Sequence, residues 1–198
     1  MNGFEKRRQQ KKDAILKAAL ELFAQFGFKK VTINEIADKA QVSPVSIYNY
    51  FQNKNNLRRE IVKASLDDMF SSIVAIFEKN EPVMDKIHQF FELKDLYIKE
   101  YSLEFFYDSI SCDDELNQYY LSLSKKMRSL FLSTIQQGKH EAVIKSELSD
   151  RAIMLFFDMY LTYITMNDSV RIEFKENASL TRELNDIFFN GFIRDQLR

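Results

Sequence analysis

Residues able to carry covalent or metal chemistry are sparse in this chain. It has one cysteine and two histidines in 198 residues. Cys112 has no His near it in sequence, and His88 and His140 stand far apart with no Cys or His at metal-ligand spacing. There is no Gly-rich phosphate loop, no nucleophile elbow around a serine, and no His paired with an acid along a helical face. These patterns predict no catalytic residue, no metal and no cofactor. A site assembled in space by an all-helical enzyme stays open as an alternative. A lone cysteine suits a reducing cytoplasm.

The groups with purposeful spacing lie earlier. In Thr32-Ile33-Asn34-Glu35 a hydroxyl precedes a carboxylate by three residues, the arrangement in which each satisfies a free backbone N–H at a helix start. Ser43-Pro44 is a second start, with a capping hydroxyl and a residue whose missing N–H costs nothing in the first turn. Charge is distributed unevenly around them. Residues 1–63 hold 13 Lys and Arg against 6 Asp and Glu, a net +7, while residues 64–198 carry −8. A basic segment suits a polyanion, since neutralising phosphates releases counterions, and an acidic body would be repelled by the same partner. Charge also varies along chains without function, so this asymmetry by itself leaves nucleic acid open.

The elements that must position these groups are helical. The chain is 45% hydrophobic, with 18 Phe and 9 Tyr, and only 2 Pro and 4 Gly interrupt it, so long helices with a substantial core are expected. Ala14, Ile15, Ala18, Ala19, Leu22, Phe23 and Phe26 form one apolar face over 13–26, ended by Gly27. Short helices follow over 33–40 and 44–50, separated by Gln41, Val42 and Ser43. Two short helices joined by a tight turn on a longer one describe a helix-turn-helix, whose second helix enters the DNA major groove. A small helical bundle with no DNA role has the same pattern.

Beyond the head, helical periodicity predicts segments from 56 to about 79, from 82 to about 92, and over 95–111, 115–137, 149–167 and 179–197. Breaks are expected at Asn80–Pro82, Asp113-Asp114, Gly138 and between Asn167 and Asn177. None is long enough for a flexible linker, so rigid coupling through the helix after residue 56 is expected. The organisation predicted is a helix-turn-helix domain over 1–55, with a basic N-terminal arm, and a helical effector-binding and dimerisation domain over 56–198. The arm, Lys6-Arg7-Arg8 with Lys11-Lys12, suits either phosphate or the minor groove, or is a disordered tail. With no apolar leader and no long apolar run, neither a signal peptide nor a membrane span is expected.

The run from Ile15 to Ile33, with Ala18-Ala19, Leu22-Phe23, Phe26-Gly27-Phe28 and Val31-Thr32-Ile33 as landmarks, is followed by Ile36-Ala37, Val42-Ser43 and Ile47-Tyr48-Asn49-Tyr50-Phe51-Gln52-Asn53-Lys54. This joint pattern closely resembles the DNA-binding head of the TetR family over about residues 12–60. The resemblance implies an all-α fold, an N-terminal three-helix helix-turn-helix head plus a larger α-helical C-terminal body. It implies a repressor, bound as a homodimer to a pseudo-palindromic double-stranded DNA operator and released by a small hydrophobic effector. An activator or a ligand-independent DNA-binding protein would fit the same residues. By resemblance, Thr32, Tyr48, Tyr50 and Lys54 contact phosphates, which set register and affinity. Ser43 begins the recognition helix, on whose first turns Pro44, Val45, Ser46 and Asn49 face base edges. Asn49 suits adenine, Ser46 bonds either way, and Val45 or Pro44 can touch a thymine methyl. The family's common Lys or Arg followed by Gly is absent at positions 44 and 45, so the operator cannot be read from them.

Two further groups are expected in the body. Between Ala152 and Ile164 only Asp158 and Thr162 interrupt apolar or Tyr residues, and the last helix is apolar on more than one face. Such helices must be covered on two sides, which puts Phe156, Tyr160, Tyr163, Leu184, Phe188, Phe189 and Phe192 at a dimer interface, with a thick monomeric core as the alternative. Phe105, Asp108, Cys112, Tyr119, Tyr120, Met127 and Phe131 are candidates for an effector pocket, with Asp108 and the tyrosines as polar anchors for a hydrophobic, cationic molecule. The same side chains at helical spacing also serve as ordinary core.

Overall fold

The structure, a computed structural model, describes residues 3–100 and 103–193; some helical side chains beyond residue 94 lie outside that description, those of Phe188, Phe189 and Phe192 among them. Among the described residues the elements are α1 (Gly3–Phe26), α2 (Ile33–Ala40), α3 (Pro44–Phe51), α4 (Lys54–Phe77), α5 (Val83–Glu100), α6 (Leu103–Ser111), α7 (Asp114–His140), α8 (Asp150–Met166), α9 (Asp168–Glu176) and α10 (Ala178–Phe192). An isolated bridge joins Ile144 to Ile193. The expected all-α class is the observed one.

The short helices start where their caps dictate. The Thr32 hydroxyl accepts from the Glu35 N–H at 3.3 Å while a Glu35 carboxylate oxygen accepts from the Thr32 N–H at 2.6 Å, closing a capping box. Gln41 ends α2 in the left-handed region at φ 55°, its N–H reaching the Ala37 and Asp38 carbonyls. A side chain there costs about 1 kcal/mol relative to glycine, and the tight turn that results lets Ser43 cap α3 at once. The Ser43 hydroxyl accepts from the Ser46 N–H at 3.2 Å.

Packing divides the helices into two units, the first made of residues 3–69 with 103–121 and the second of 70–100 with 122–193. The first unit therefore extends past residue 55, where sequence organisation places the end of the head. Leu57, Ile61, Val62 and Leu66 of α4 are buried together with Ile15, Ala19 and Phe23 of α1, Ile36 of α2 and Ile47 of α3. Each such large side chain contributes about 1.5–3 kcal/mol through burial. Phe105 of α6 joins this core, its ring 5.5 Å from that of Phe23. Asp113, expected only as a break, is buried and accepts from Arg58 at 2.9 Å and Arg59 at 2.8 Å while its other oxygen takes the Leu116 N–H that opens α7.

The second unit centres on Ile135, Ile144, Ile153 and Met154, with Phe131, Phe157 and Tyr160 packed against them. Gly138 does not end a helix, as its expected break implied; α7 continues to His140. A Cβ at Gly138 would lie 2.6 Å from the Ile144 side chain, so glycine is what lets Ile144 pack there. Its carbonyl also accepts the Val143 and Ile144 N–H groups, at 2.9 and 3.0 Å. The stretch expected as a break between Asn167 and Asn177 is helix α9, because the Asn167 side chain caps it through the Val170 N–H. Likewise α5 runs on to Glu100 where a break was expected after residue 92. No described helix is long and apolar enough to cross a membrane.

Candidate nucleic-acid interface

The surface of α3 follows from its register. Ile47 and Phe51 point into the core at 1% and 3% exposure, while Val45 and Tyr48 stand 65% and 51% exposed, and Asn49 is exposed beside them. Residues at steps of three and four share a helical face, so Val45, Tyr48 and Asn49 form one outward stripe of a methyl pair, a phenol and an amide. That chemistry can touch a thymine methyl, donate to an oxygen, and pair with an adenine edge. Pro44 is half-buried at the first position, and the Ser43 and Ser46 hydroxyls bond each other at 2.9 Å.

The residues expected at phosphates are placed less uniformly. Tyr48 is exposed. The Thr32 hydroxyl donates to the Glu35 carboxylate at 2.8 Å as part of the capping box, and those bonds from the Thr32 backbone and hydroxyl hold the Glu35 carboxyl below its ordinary value. Lys54, at the start of α4, donates to the Phe28 carbonyl and lies 4.4 Å from the centre of the Phe28 ring. Burial pulls its ammonium pKa down, with the nearby Glu35 charge opposing that shift. The Tyr50 hydroxyl donates to the carbonyl of Arg8 at 3.2 Å. Thr32, Tyr50 and Lys54 thus all hold the head together, and a Tyr hydroxyl has only one proton to donate.

The partner of Tyr50 was not foreseen as structure. The arm expected ahead of residue 13 is the first part of α1, which begins at Gly3. The absence of Pro and Gly between Phe4 and Phe26 was the available signal. The Arg8 guanidinium lies 5.9 Å from the Tyr50 ring centre, and Lys12 sits 5.8 Å from the Phe51 ring and 3.0 Å from the Glu60 carboxylate.

The seven candidates for an effector pocket are not brought together. Phe105 belongs to the first unit's core; Asp108, Cys112 and Tyr120 are exposed; the Tyr119 hydroxyl donates to the Asp67 carboxylate, a bond that with burial raises its pKa to about 12. Met127 is half-buried. Phe131 lines an apolar cavity of about 60 Å³ in the second unit with Phe77, Phe90, Ile144, Met154 and Phe157, where Thr134 is the polar lining residue. No acidic group lines it, contrary to the anchor expected from Asp108.

Of the interface candidates, Phe156 and Tyr163 of α8 are 46% and 63% exposed. Tyr160 instead turns inward and its hydroxyl donates to Asn185 at 2.9 Å, and Leu184 is half-buried. Phe188, Phe189 and Phe192 lie outside the described side chains. Leu155 and Met159, not singled out from sequence, complete an exposed apolar stripe at 53% and 60%; the two steps of four from Leu155 through Met159 to Tyr163 were the legible signal. Among the described residues no group of His, Cys, Asp or Glu could hold a metal ion.

This geometry can be set beside known proteins. Residues 15–61, which include α2 and α3 with their capped turn, match the family described as bacterial regulatory proteins, tetR family. Over these residues the chain resembles the DNA-binding head of that family. That match ends within the first unit, and sequence relatives extend it only part-way. The HTH-type transcriptional regulator YhgD of Bacillus subtilis is 34% identical over 79 residues, covering 40% of this chain and 41% of that protein. The HTH-type negative transcriptional regulator IcaR of the biofilm operon icaADBC of Staphylococcus aureus is 27% identical over 95 residues, covering 46% of this chain and 51% of that one. The chain thus spans about half the length of these relatives or less. Over most of its length the chain shares its fold with the fatty acid degradation regulator FadR of Bacillus halodurans, at a TM-score of 0.68 and 18% identity, covering 91% of this chain and 95% of that one.

Proposed function

We propose that the protein is a sequence-specific transcriptional regulator, a repressor that binds a pseudo-palindromic operator as a homodimer in the cytoplasm. The observation that carries this reading is the outward stripe of Val45, Tyr48 and Asn49 on a helix whose other face is buried, within a head that bears the chain's excess of positive charge. Phosphate contacts by Tyr48, and by Lys54 through its remaining protons, set affinity, while Asn49 and Val45 discriminate bases. The relative IcaR is a negative regulator, which supports repression here.

Selection of bound fragments from a genomic pool tests the reading. A site bound at least about a thousand times better than random duplex is expected. Tyr48→Phe should weaken all duplexes alike, and Asn49→Ala should relax choice at particular base pairs at about 1–3 kcal/mol each. Fragments recovered with no common sequence would end the claim of specificity.

The homodimer rests on α8, whose Ile153 and Met154 face its own unit while Leu155, Met159 and Tyr163 face outward. Burying such stripes against a second copy forms a two-fold interface of paired helices. Because Met159 is 60% exposed, Met159→Asp should leave circular dichroism unchanged and give a monomer by light scattering where the wild type is expected to be a dimer. A dimer that survives this substitution would place the interface elsewhere.

An effector, in this proposal, occupies the apolar cavity of the second unit, and effector and operator weaken each other's binding by the same factor. The cavity's lining favours a neutral, apolar molecule. At about 60 Å³ it is smaller than the roughly 150 Å³ that accommodates benzene, so binding requires the surrounding helices to part.

A further inference from the structure

The first three turns of α1 break local electrostatic rules. Lys6, Arg7 and Arg8 crowd the positive end of the helix macrodipole, which favours anions. Arg7 with Lys11 and Arg8 with Lys12 put like charges at a spacing of four, each pair destabilising by a few tenths of a kcal/mol. Only Glu5 is acidic in that first turn, and one bond from Gln9 to Asp13 at 2.7 Å ties the next. The stripe that further along α1 buries Ile15, Ala19 and Phe23 is continued here, at steps of four and three, by Phe4, Arg8 and Lys12. A helix end with self-repelling charges is held by what Arg8 and Lys12 touch: Tyr50, Phe51 and Glu60 on α3 and α4.

On its remaining sides the overhang presents Lys6, Arg7 and Lys11, all exposed. Residues 3–12 rise about 15 Å, enough to follow several phosphates at roughly 3.4 Å of duplex axis each. We propose that this overhang is a second DNA-contacting element, which lays Lys6, Arg7 and Lys11 along the phosphate backbone flanking the bases read by α3. Tyr50 is its positioning residue. The Tyr50 hydroxyl gives its one proton to the Arg8 carbonyl, so it aims the overhang instead of donating to a phosphate itself. The partner is a nucleic-acid backbone because the exposed groups are mostly cations; Phe4, 69% exposed, is the one large apolar side chain of the stretch, too little to seat a protein. Phosphates would also relieve the repulsion that the helix otherwise carries. The inference rests on the DNA-binding reading above and adds a contact that the helix-turn-helix does not include.

Affinity of the full-length protein for a mixed-sequence duplex, measured by anisotropy across salt concentrations, tests it without any operator. Each lost phosphate contact lowers the slope of log affinity against log salt by about 0.9, so the Lys6→Gln, Arg7→Gln, Lys11→Gln triple variant should reduce the slope by about 2–3. Tyr50→Phe should weaken binding in the wild-type background and have no effect in the triple variant, because a positioning residue is silent once what it positions is gone. A Tyr50→Phe loss that is the same in both backgrounds would overturn its positioning role, and an unchanged slope would overturn the overhang contact while leaving the regulator reading intact. A wild-type protein that binds no duplex even at low salt would defeat both. Circular dichroism of each variant separates lost contacts from lost folding, and full wild-type helicity with a reduced slope is the supporting result.

Discussion

Replacing Asp113 by alanine is expected to destabilise the first unit by about 3–5 kcal/mol, the cost of breaking a buried ion pair and leaving its partner uncompensated. The Asp113 side chain is 3% exposed and Arg58 11%, and the Arg58 Nε is already buried without a partner, so little water is available to replace the carboxylate. The same substitution removes the oxygen that accepts the Leu116 N–H at the start of α7. Thermal melts should show a large drop in Tm, and the pH dependence should identify the group. Burial acts to raise the Asp113 pKa, but hydrogen bonds from Arg59, the Leu116 N–H and Arg58 outweigh it and leave the carboxyl below its ordinary value. With the folded pKa depressed, the stabilisation is fully present above the unfolded aspartate value of about 3.9. It is lost as pH falls through the folded value. The gap between wild type and Asp113→Ala should therefore be constant from neutral pH to about pH 5 and narrow only in stronger acid. A gap that is small, or that closes near neutrality, would show that Arg58 and Arg59 find other partners.

Phe131→Ala should cost the second unit about 3–5 kcal/mol, the range for removing a phenyl ring from a packed core. The Phe131 ring lies 4.5 Å from Phe157, 5.3 Å from Phe77 and 5.5 Å from Phe90, in edge-to-face contacts, so its loss removes several favourable ring pairs at once. It would also enlarge the cavity it lines beyond the volume that benzene needs. The variant should then regain stability with added benzene or indole, by about 2.7 kcal/mol at one hundred times the dissociation constant. Wild type, with its small cavity, should shift much less. A variant destabilised as expected but indifferent to both compounds would mean that neighbouring rings collapse into the space.

How far the sequence reaches is set by how local the responsible physics is. Capping at Thr32–Glu35 and Ser43–Pro44, the burial of Ile47 and Phe51, and the two-faced apolar pattern of α8 all depend on groups within a turn or two of each other. Each was legible from spacing. So was the helix-turn-helix, because its tight turn leaves α2 and α3 little choice of arrangement. The second half of the site was not legible, because hydrogen bonds over long separations compete for the same donors. Tyr50, Thr32 and Lys54 carry the right chemistry for phosphate, yet only the fold shows that Arg8, Glu35 and Phe28 already engage them. A break and a cap are the same letters in sequence, so Asn167 and Gly138 suggested interruptions where packing makes a helix start and a close approach. The candidates for the pocket failed to converge for a related reason. Helical periodicity says which face of α6 and α7 is apolar, but not that α6 and the first turns of α7 pack into the head while Phe131 lies in the other unit. Sequence alone determined most of the helices, the caps of α2 and α3 and the outward stripe of α3; the tertiary structure decided which polar groups remain available and where the apolar space lies, because both depend on residues distant in the chain.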